Sequence, residues 1–292
     1  MFSLDLGNLL VHLKMDDTLF SKSILGIQKG ISSAVTNITR QTKRLALAAT
    51  AYGIASTKAF ASIEEQMSFV STMLDDQTMN LMPKYTKAVR NMSVNFGEST
   101  QTISRGLYNI LSASVAPAKA LGVLSVSLKA AKAGMTDTAT ATYAITGILN
   151  AYSMSASKAG KVSDILFSTV KRGQTTFAQL APSIGRVTSI AATSGVKLEE
   201  VAAALSTITR AGISTDQAIT FLRSSLIALQ GKSEEGIEIA KSAGLTLSEQ
   251  ALRTKQLSGM IEELSRLSEE QVNTIFKDIR SRQAIIVLLA QH

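Results

Sequence analysis

Apolar residues recur along most of this chain at steps of three and four, the repeat of one face of an α-helix. The pattern is clearest between Gly195 and Leu229. Leu198, Val201, Leu205 and Ile208 share one face, with Glu199 and Glu200 in the first turn and Arg210 in the last, as the helix dipole favours. Gly212 can take the left-handed conformation that ends a helix, and Ser214 with Gln217 three residues on has the spacing of a capping box. Ile219, Leu222, Leu226 and Leu229 form the next apolar face, which Gly231 stops. The spacing predicts two helices joined as a hairpin.

A longer repeat precedes it. Ile24, Ile27, Ile31, Ala34, Ile38, Gln41, Leu45, Ala48, Tyr52, Ala55, Ala59, Ser62, Gln66, Phe69 and Met73 follow alternating steps of three and four, the spacing of a coiled-coil seam. Within it, Ile24, Ile27, Ile31, Ile38, Leu45, Tyr52 and Phe69 form a candidate self-association seam, and Gln41, Ser62 and Gln66 are polar interruptions that can fix register. The chain therefore divides into a weakly patterned start at 1–19, an amphipathic helical rod at 20–75 and a helical core at 84–292, with the pattern broken from Asp75 to Pro83.

The core reads as a succession of short helices. Lys84–Asn95 is closed by Gly97, and Ser99 or Thr100 caps a helix carrying Ile103, Leu107, Ile110 and Leu111. Pro117 suits the first turn of the next, which carries Leu121, Leu124 and Leu128 and is closed by Gly134. Thr136–Tyr152 and Ser157–Lys171 follow, then a helix capped by Thr175 or Thr176 and running to Thr193, with Pro182 inside it. After the hairpin come Ser233–Ala243, Gln250–Leu267 and a last helix over Ser268–Gln291. Lys132-Ala-Gly-Met-Thr and Arg210-Ala-Gly-Ile-Ser read as one joint used twice, offset by a residue. The structural joints are thus Gly134, Gly195, Gly212, Ser214, Gln217 and Gly231. The expected fold is all-α: a long N-terminal amphipathic, coiled-coil-like helix, then a compact multi-helix array of helical hairpins.

Composition fits helices packed through small residues: 45% of residues are hydrophobic, only 5% are aromatic, and tryptophan is absent. A net charge of +8 admits an acidic partner, but no arginine-rich tract or nucleic-acid motif points to sequence-specific nucleic acid. Thr18–Ile63 contains no acidic residue while carrying Lys22, Lys29, Arg40, Lys43, Arg44 and Lys58, a basic amphipathic pattern that admits transient contact with an anionic membrane. Without cysteine the chain has no disulfide, zinc thiolate or thiol nucleophile. His12 and His292 stand at opposite ends and build neither a zinc site nor a catalytic triad. Gly231-Lys232-Ser233 lacks the earlier glycine of a phosphate loop, since position 226 is leucine, and Ser155-Ala-Ser-Lys158 lacks every companion of a serine–lysine hydrolase. Paired acids such as Glu199 and Glu200 read as first-turn residues. No catalytic residue, metal or cofactor is expected.

Ser194-Gly-Val-Lys-Leu-Glu-Glu, then Ala211-Gly-Ile-Ser, then Leu222-Arg-Ser-Ser-Leu, resembles the core domain of phage tail tape measure proteins, over about Phe60 to Ala290. The resemblance is to a pattern of helix faces and caps. It implies a structural, non-enzymatic phage or prophage protein that lies inside the tail tube, nucleates tail assembly, sets tail length and leaves before DNA passes, with a role in genome ejection. It also implies a homo-oligomer whose partners are the tail tube protein, tail assembly chaperones and tail tip proteins. The expected places are the lumen of the virion tail tube and, during assembly, the host bacterial cytoplasm. Members of the family continue beyond this core, so the C-terminal end, Ala284-Ile-Ile-Val-Leu-Leu-Ala-Gln-His292, is expected to be a truncation. A membrane-active helical protein without a ruler role is the alternative expectation, motivated by the apolar helices and the basic stretch.

Overall fold

The computed structural model describes residues 62–231 and 233–291, and these residues are all-α. Residues 1–19, most of the 20–75 rod and the seam positions Ile24, Ile27, Ile31, Ile38, Leu45 and Tyr52 lie outside the described residues. The described helices are α1 (62–71), α2 (Met82–Phe96), α3 (Thr100–Ser112), α4 (Pro117–Ala133), α5 (Thr138–Ala151), α6 (Ala159–Arg172) and α7 (Phe177–Leu180). They continue as α8 (Gly185–Thr193), α9 (Leu198–Arg210), α10 (Thr215–Leu229), α11 (Glu234–Ser242), α12 (Glu249–Leu264), α13 (Glu269–Ile275) and α14 (Ile279–Ala290). Among the described residues no helix is long and apolar enough to cross a membrane.

The chain divides into two compact units. The described part of the first comprises 62–146 and 155–160. Here α3 packs against α2 and α4. The Tyr85 hydroxyl donates to the Pro117 carbonyl at 2.7 Å, tying α2 to the start of α4. Pro83 and Pro117 both stand in first turns, where a missing N–H costs no hydrogen bond. A Cβ on Gly106 of α3 would come within 3.0 Å of Leu124 and 3.2 Å of Thr138, so its absence lets three helices approach. In α1 the buried residues are Ile63, Met67 and Val70, whereas Phe69 is 62% exposed. The inward face of α1 is therefore rotated from the 62–66–69–73 stripe read from the sequence. Ser104 on α3 confirms the direction by donating to the Met67 sulfur.

The described part of the second unit comprises 147–154 and 161–291. Helix α10 packs along α7, α8, α9 and α14, while α9 also meets α8, α12 and α14. The apolar stripe Leu198, Val201, Leu205 and Ile208 is buried as its spacing predicts, but α9 is no amphipathic helix. Ala202, Ala203, Ala204, Ser206, Thr207 and Thr209 are buried too, so every side of it meets protein. Short side chains make this enclosure workable, and the buried hydroxyls bond to carbonyls one turn back: Ser206 to Ala202 at 2.8 Å, Thr209 to Leu205 at 2.8 Å, Ser225 to Phe221 at 2.9 Å. Buried Ser225 also reaches the Ser281 carbonyl at 3.0 Å, joining α10 to α14.

Five helix ends share one geometry. The N–H groups of Val115, Thr136, Met154, Val196 and Leu245 bond back to the carbonyls of Ile110, Ala131, Leu149, Ala191 and Ala240, at 3.4, 3.0, 2.8, 2.8 and 2.8 Å. These are the six-to-one bonds of the Schellman motif, which satisfy orphaned carbonyls and fold the next residue, apolar at all but Thr136, back onto the helix just ended. The left-handed residue is glycine at Gly195 and Gly244 but Ser114, Met135 and Ser153 elsewhere. Gly134 itself has φ −90° as the residue capping α4, and Met135 turns the chain. The offset between the two similar joints is this shift, since Gly212 is itself left-handed.

Three predicted helices are broken, one of them, Gln250–Leu267, at Gln256. Pro182 lacks the N–H that a helix interior needs, so α7 ends at Leu180 and α8 starts at Gly185. Thr176 caps α7 in a full capping box with Gln179. The last helix divides at Phe276, whose ring is buried and whose backbone, at φ −105° and ψ 71°, leaves the helical region. Asp278 then restarts the chain as α14 by accepting from the Arg280 N–H at 3.1 Å.

The glycine joints should differ in their tolerance of a side chain. Gly231 has φ +70°, and a Cβ there would lie 2.3 Å from the Leu247 carbonyl oxygen; Gly212 has φ +87° with open space around it. Gly212→Ala should cost about 1 kcal/mol, the left-handed penalty alone. Gly231→Ala should cost about 3 kcal/mol, since a backbone clash is added. Urea denaturation followed by circular dichroism measures both, and equal costs would refute the packing described.

Candidate functional site

Among the described residues no group of histidine and acidic side chains could hold a metal ion. The most chemically distinctive place is a buried carboxylate, Glu200 of α9. It is 5% exposed. Its Oε2 accepts from the Leu257 N–H at 2.6 Å and its Oε1 from the Ser258 hydroxyl at 2.8 Å. Glu199 and Glu200 both stand in the first turn of α9, as the sequence suggested, but they face different ways: Glu199 pairs with Lys161 at 2.5 Å. The step of about 100° between neighbouring helical residues turns Glu200 inward.

Glu200 is needed because α12 is two helical pieces. Gln256 interrupts it with φ 62° and ψ 178°. That backbone region is essentially reserved for glycine and costs on the order of 1–3 kcal/mol. The break deprives the amides after Gln256 of their upstream carbonyls, and a carboxylate is a good substitute acceptor at a new helix start. The Gln256 amide does the complementary work. Its Nε2 donates to the carbonyls of Gly195 at 3.0 Å and Arg253 at 2.7 Å, and its Oε1 accepts from the Lys197 N–H at 3.1 Å. Arg253 donates to the Thr193 carbonyl at 3.0 Å and lies over Gly195, where a Cβ would come within 2.7 Å of it. The α8–α9 joint and the break in α12 are therefore one cluster.

Burial pushes the Glu200 carboxyl above its ordinary value of 4.5, against the pull of the hydrogen bonds from Ser258 and Leu257 and the charge of Lys197. Nearby, the Tyr152 hydroxyl is buried without a hydrogen-bond partner; burial first, then the charges of Glu199 and Glu200, drive its pKa far up. Both carboxylate oxygens of Glu200 are occupied by protein donors, so the arrangement clamps α12 to α9. The cleft of about 520 Å³ in this unit lies elsewhere, lined by Gly173, Thr176, Thr209, Gly212 and Ser214 among others.

The joint residues take the following places. Gly195 is in the Glu200 cluster, and Gly212 and Ser214 line the polar cleft, where Thr175 and Thr215 hydroxyls meet at 2.6 Å. Ser214 precedes α10, but its hydroxyl donates to the Gln217 side-chain oxygen at 2.9 Å and caps no backbone N–H, so the reciprocal capping box is not made. Gly231 lies against Leu247, and Gly134 and Phe69 belong to the first unit. Glu200, Gln256 and Arg253 were not singled out as a cluster by the sequence. The nearest helix-weakening residue, Gly259, stands three positions past the break at Gln256, and the only trace of Glu200's role is its position beside the small-residue side of α9.

Glu200→Ala should cost about 2 kcal/mol, because it strands the buried Leu257 amide. Glu200→Gln keeps an acceptor and carries no charge. A folded-state pKa above 4.5 means that the folded chain holds a proton which the unfolded chain has released. The stability that Glu200 contributes is thus fully present below 4.5 and lost as pH rises through the raised value. Urea midpoints across that window should show wild type losing stability relative to Glu200→Gln; a constant difference would contradict the burial of this carboxyl.

Residues 86–280, from α2 into α14, match the family described as phage-related minor tail proteins. The chain is 33% identical over 157 residues to the "Probable tape measure protein" of Clostridium phage phiCD119, covering 51% of this chain and 16% of that protein. It is 24% identical over 224 residues to the "Tape measure protein" of Pneumococcus phage Dp-1, covering 77% of this chain and 18% of that protein. The chain spans less than a fifth of the length of either relative. No solved structure matches it. The family match takes in most of both helical units, and its two relatives carry the name that the hairpin pattern suggested, so the chain belongs to the phage-related minor tail proteins and is a component of the virion tail.

Proposed function

We propose that this chain is the helical core region of a tail tape measure protein, acting without catalysis inside the tail tube in tail assembly and length determination. The observation that carries the reading is the alignment of the hairpin core with two tape measure proteins. The architecture supports it: the buried carboxylate of Glu200 is spent on holding helices together. In this reading the seam from Ile24 to Phe69 associates copies of the chain, and exposed Phe69 is its last described position. The tail tube protein, tail assembly chaperones and tail tip proteins are the partners, assembly takes place in the host cytoplasm, and release of the protein from the tube accompanies genome ejection.

The test should spare α1, since Met67 and Val70 are core residues. Deleting Ile24–Ala61 removes 38 residues. If these contribute length as helix, tails should shorten by about 57 Å at 1.5 Å per residue, and duplicating the segment should lengthen them by as much. Electron microscopy of phage carrying each change in the full-length gene measures this, and tails of unaltered length would reject a ruler role for the segment.

A further inference from the structure

Helix α12 contains no proline and one glycine, Gly259, yet it breaks three residues earlier, at Gln256. Leu252-Arg-Thr-Lys-Gln-Leu-Ser258 has neither glycine nor proline, and glutamine is among the better helix formers. The described non-glycine residues with positive φ are Ser114, Met135, Ser153 and Gln256. The first three follow helix ends, where a left-handed residue is routine, whereas Gln256 stands inside a helix. The local preference of this segment is a straight helix, and tertiary contacts hold it bent.

Those contacts replace one backbone bond with two side-chain bonds. In a continuous helix the Leu257 N–H would donate to the Arg253 carbonyl, four residues back. Here the N–H is taken by Glu200 at 2.6 Å and the carbonyl by the Gln256 amide at 2.7 Å. Lys255 and Glu263 are eight residues apart, a rise of about 12 Å along a straight helix, yet they pair at 2.5 Å across the bend. The remaining bonds, from Gln256 to Gly195 and Lys197 and from Arg253 to Thr193, all reach the α8–α9 joint. Leu252, fully buried, opposes release, which makes the docked form the major state.

We propose that Gln256 is the latch of a two-state helix. Latched, residues 249–264 are bent and clamped to the α8–α9 joint. Unlatched, Gln256 returns to helical geometry, the Leu257–Arg253 backbone bond forms, 249–264 become one straight helix, and the 249–255 half leaves the joint. The Leu257 N–H and the Arg253 carbonyl each find a partner in both forms, so the two arrangements compete for the same groups, as a bistable element requires. Nothing in this device depends on a role in tail assembly.

The chain has no cysteine, so the pair Lys197→Cys and Thr254→Cys can be spin-labelled selectively across the latch. The parent pair should give a short distance. Gln256→Ala removes the amide but leaves the bent backbone strained, and should raise the long-distance population roughly tenfold. Gln256→Gly removes the same bonds but makes the bent backbone strain-free, and should stay nearer the parent. An alanine variant that matches the parent, or alanine and glycine variants that separate the labels equally, would overturn the proposal. If Gln256→Ala does not fold by circular dichroism, native-state hydrogen exchange of the parent decides. The Lys197 and Leu257 amides should then open together and faster than those of Leu205 and Leu226; exchange no faster than these core amides would overturn it.

Discussion

The distance at which helices can approach governs this structure, and small side chains set it. Helix α9 is enclosed because alanine, serine and threonine occupy the sides that a longer residue would hold away from its neighbours. Close approach brings hydroxyls into the core, where an unpaired donor is costly. Bonding to the carbonyl one turn back solves this locally, as Thr146, Thr169 and Thr188 show besides the residues of α9. Gly173 carries the same principle to its limit, since a Cβ there would lie 2.5 Å from the Thr209 hydroxyl oxygen. A chain with few aromatics and no tryptophan thus builds its core mainly from aliphatic and small side chains, with Tyr85, Phe177 and Phe276 buried among them.

Close packing demands that each helix stop at a defined residue, or the faces fall out of register. At five of the described helix ends the stop is the Schellman turn, with an apolar residue such as Val196 or Leu245 folded back into the core. Where a turn falls inside a helix rather than at its end, side chains from elsewhere must supply the missing partners. Glu200 and Gln256 do so for α12, at the expense of a buried charge and a strained backbone. That expense is of a size that ordinary burial offsets: one fully buried leucine contributes about 2 kcal/mol.

For a tail protein this construction separates two ways of using helical residues. A straight helix converts residues into length at about 1.5 Å each. A core of short helices that double back uses its residues for burial, and α9 with its neighbours is committed to that. Family membership rests on this core, since the match begins in α2, while the seam that would convert residues into length lies mostly before it.

Much of the fold was legible in the chain itself. Helix positions, the buried stripe of Leu198 to Ile208, the capping residues Ser99 and Thr176 and the left-handed turns at Gly195, Gly212 and Gly231 follow from local periodicity and local backbone preference. What local preference cannot express is a bond between residues far apart in sequence. The joints at Ser114, Met135 and Ser153 carry no glycine signal, because the fold-back contact holds them. The outward turn of Phe69 was settled by packing of the opposite side of α1, and the division at Phe276 accompanies burial of its ring. The bend at Gln256 and the inward role of Glu200 depend on each other across 56 residues of chain (256 − 200). Periodicity sees one helix at a time, and only the packed structure brings an acceptor on one helix to the orphaned amide of another.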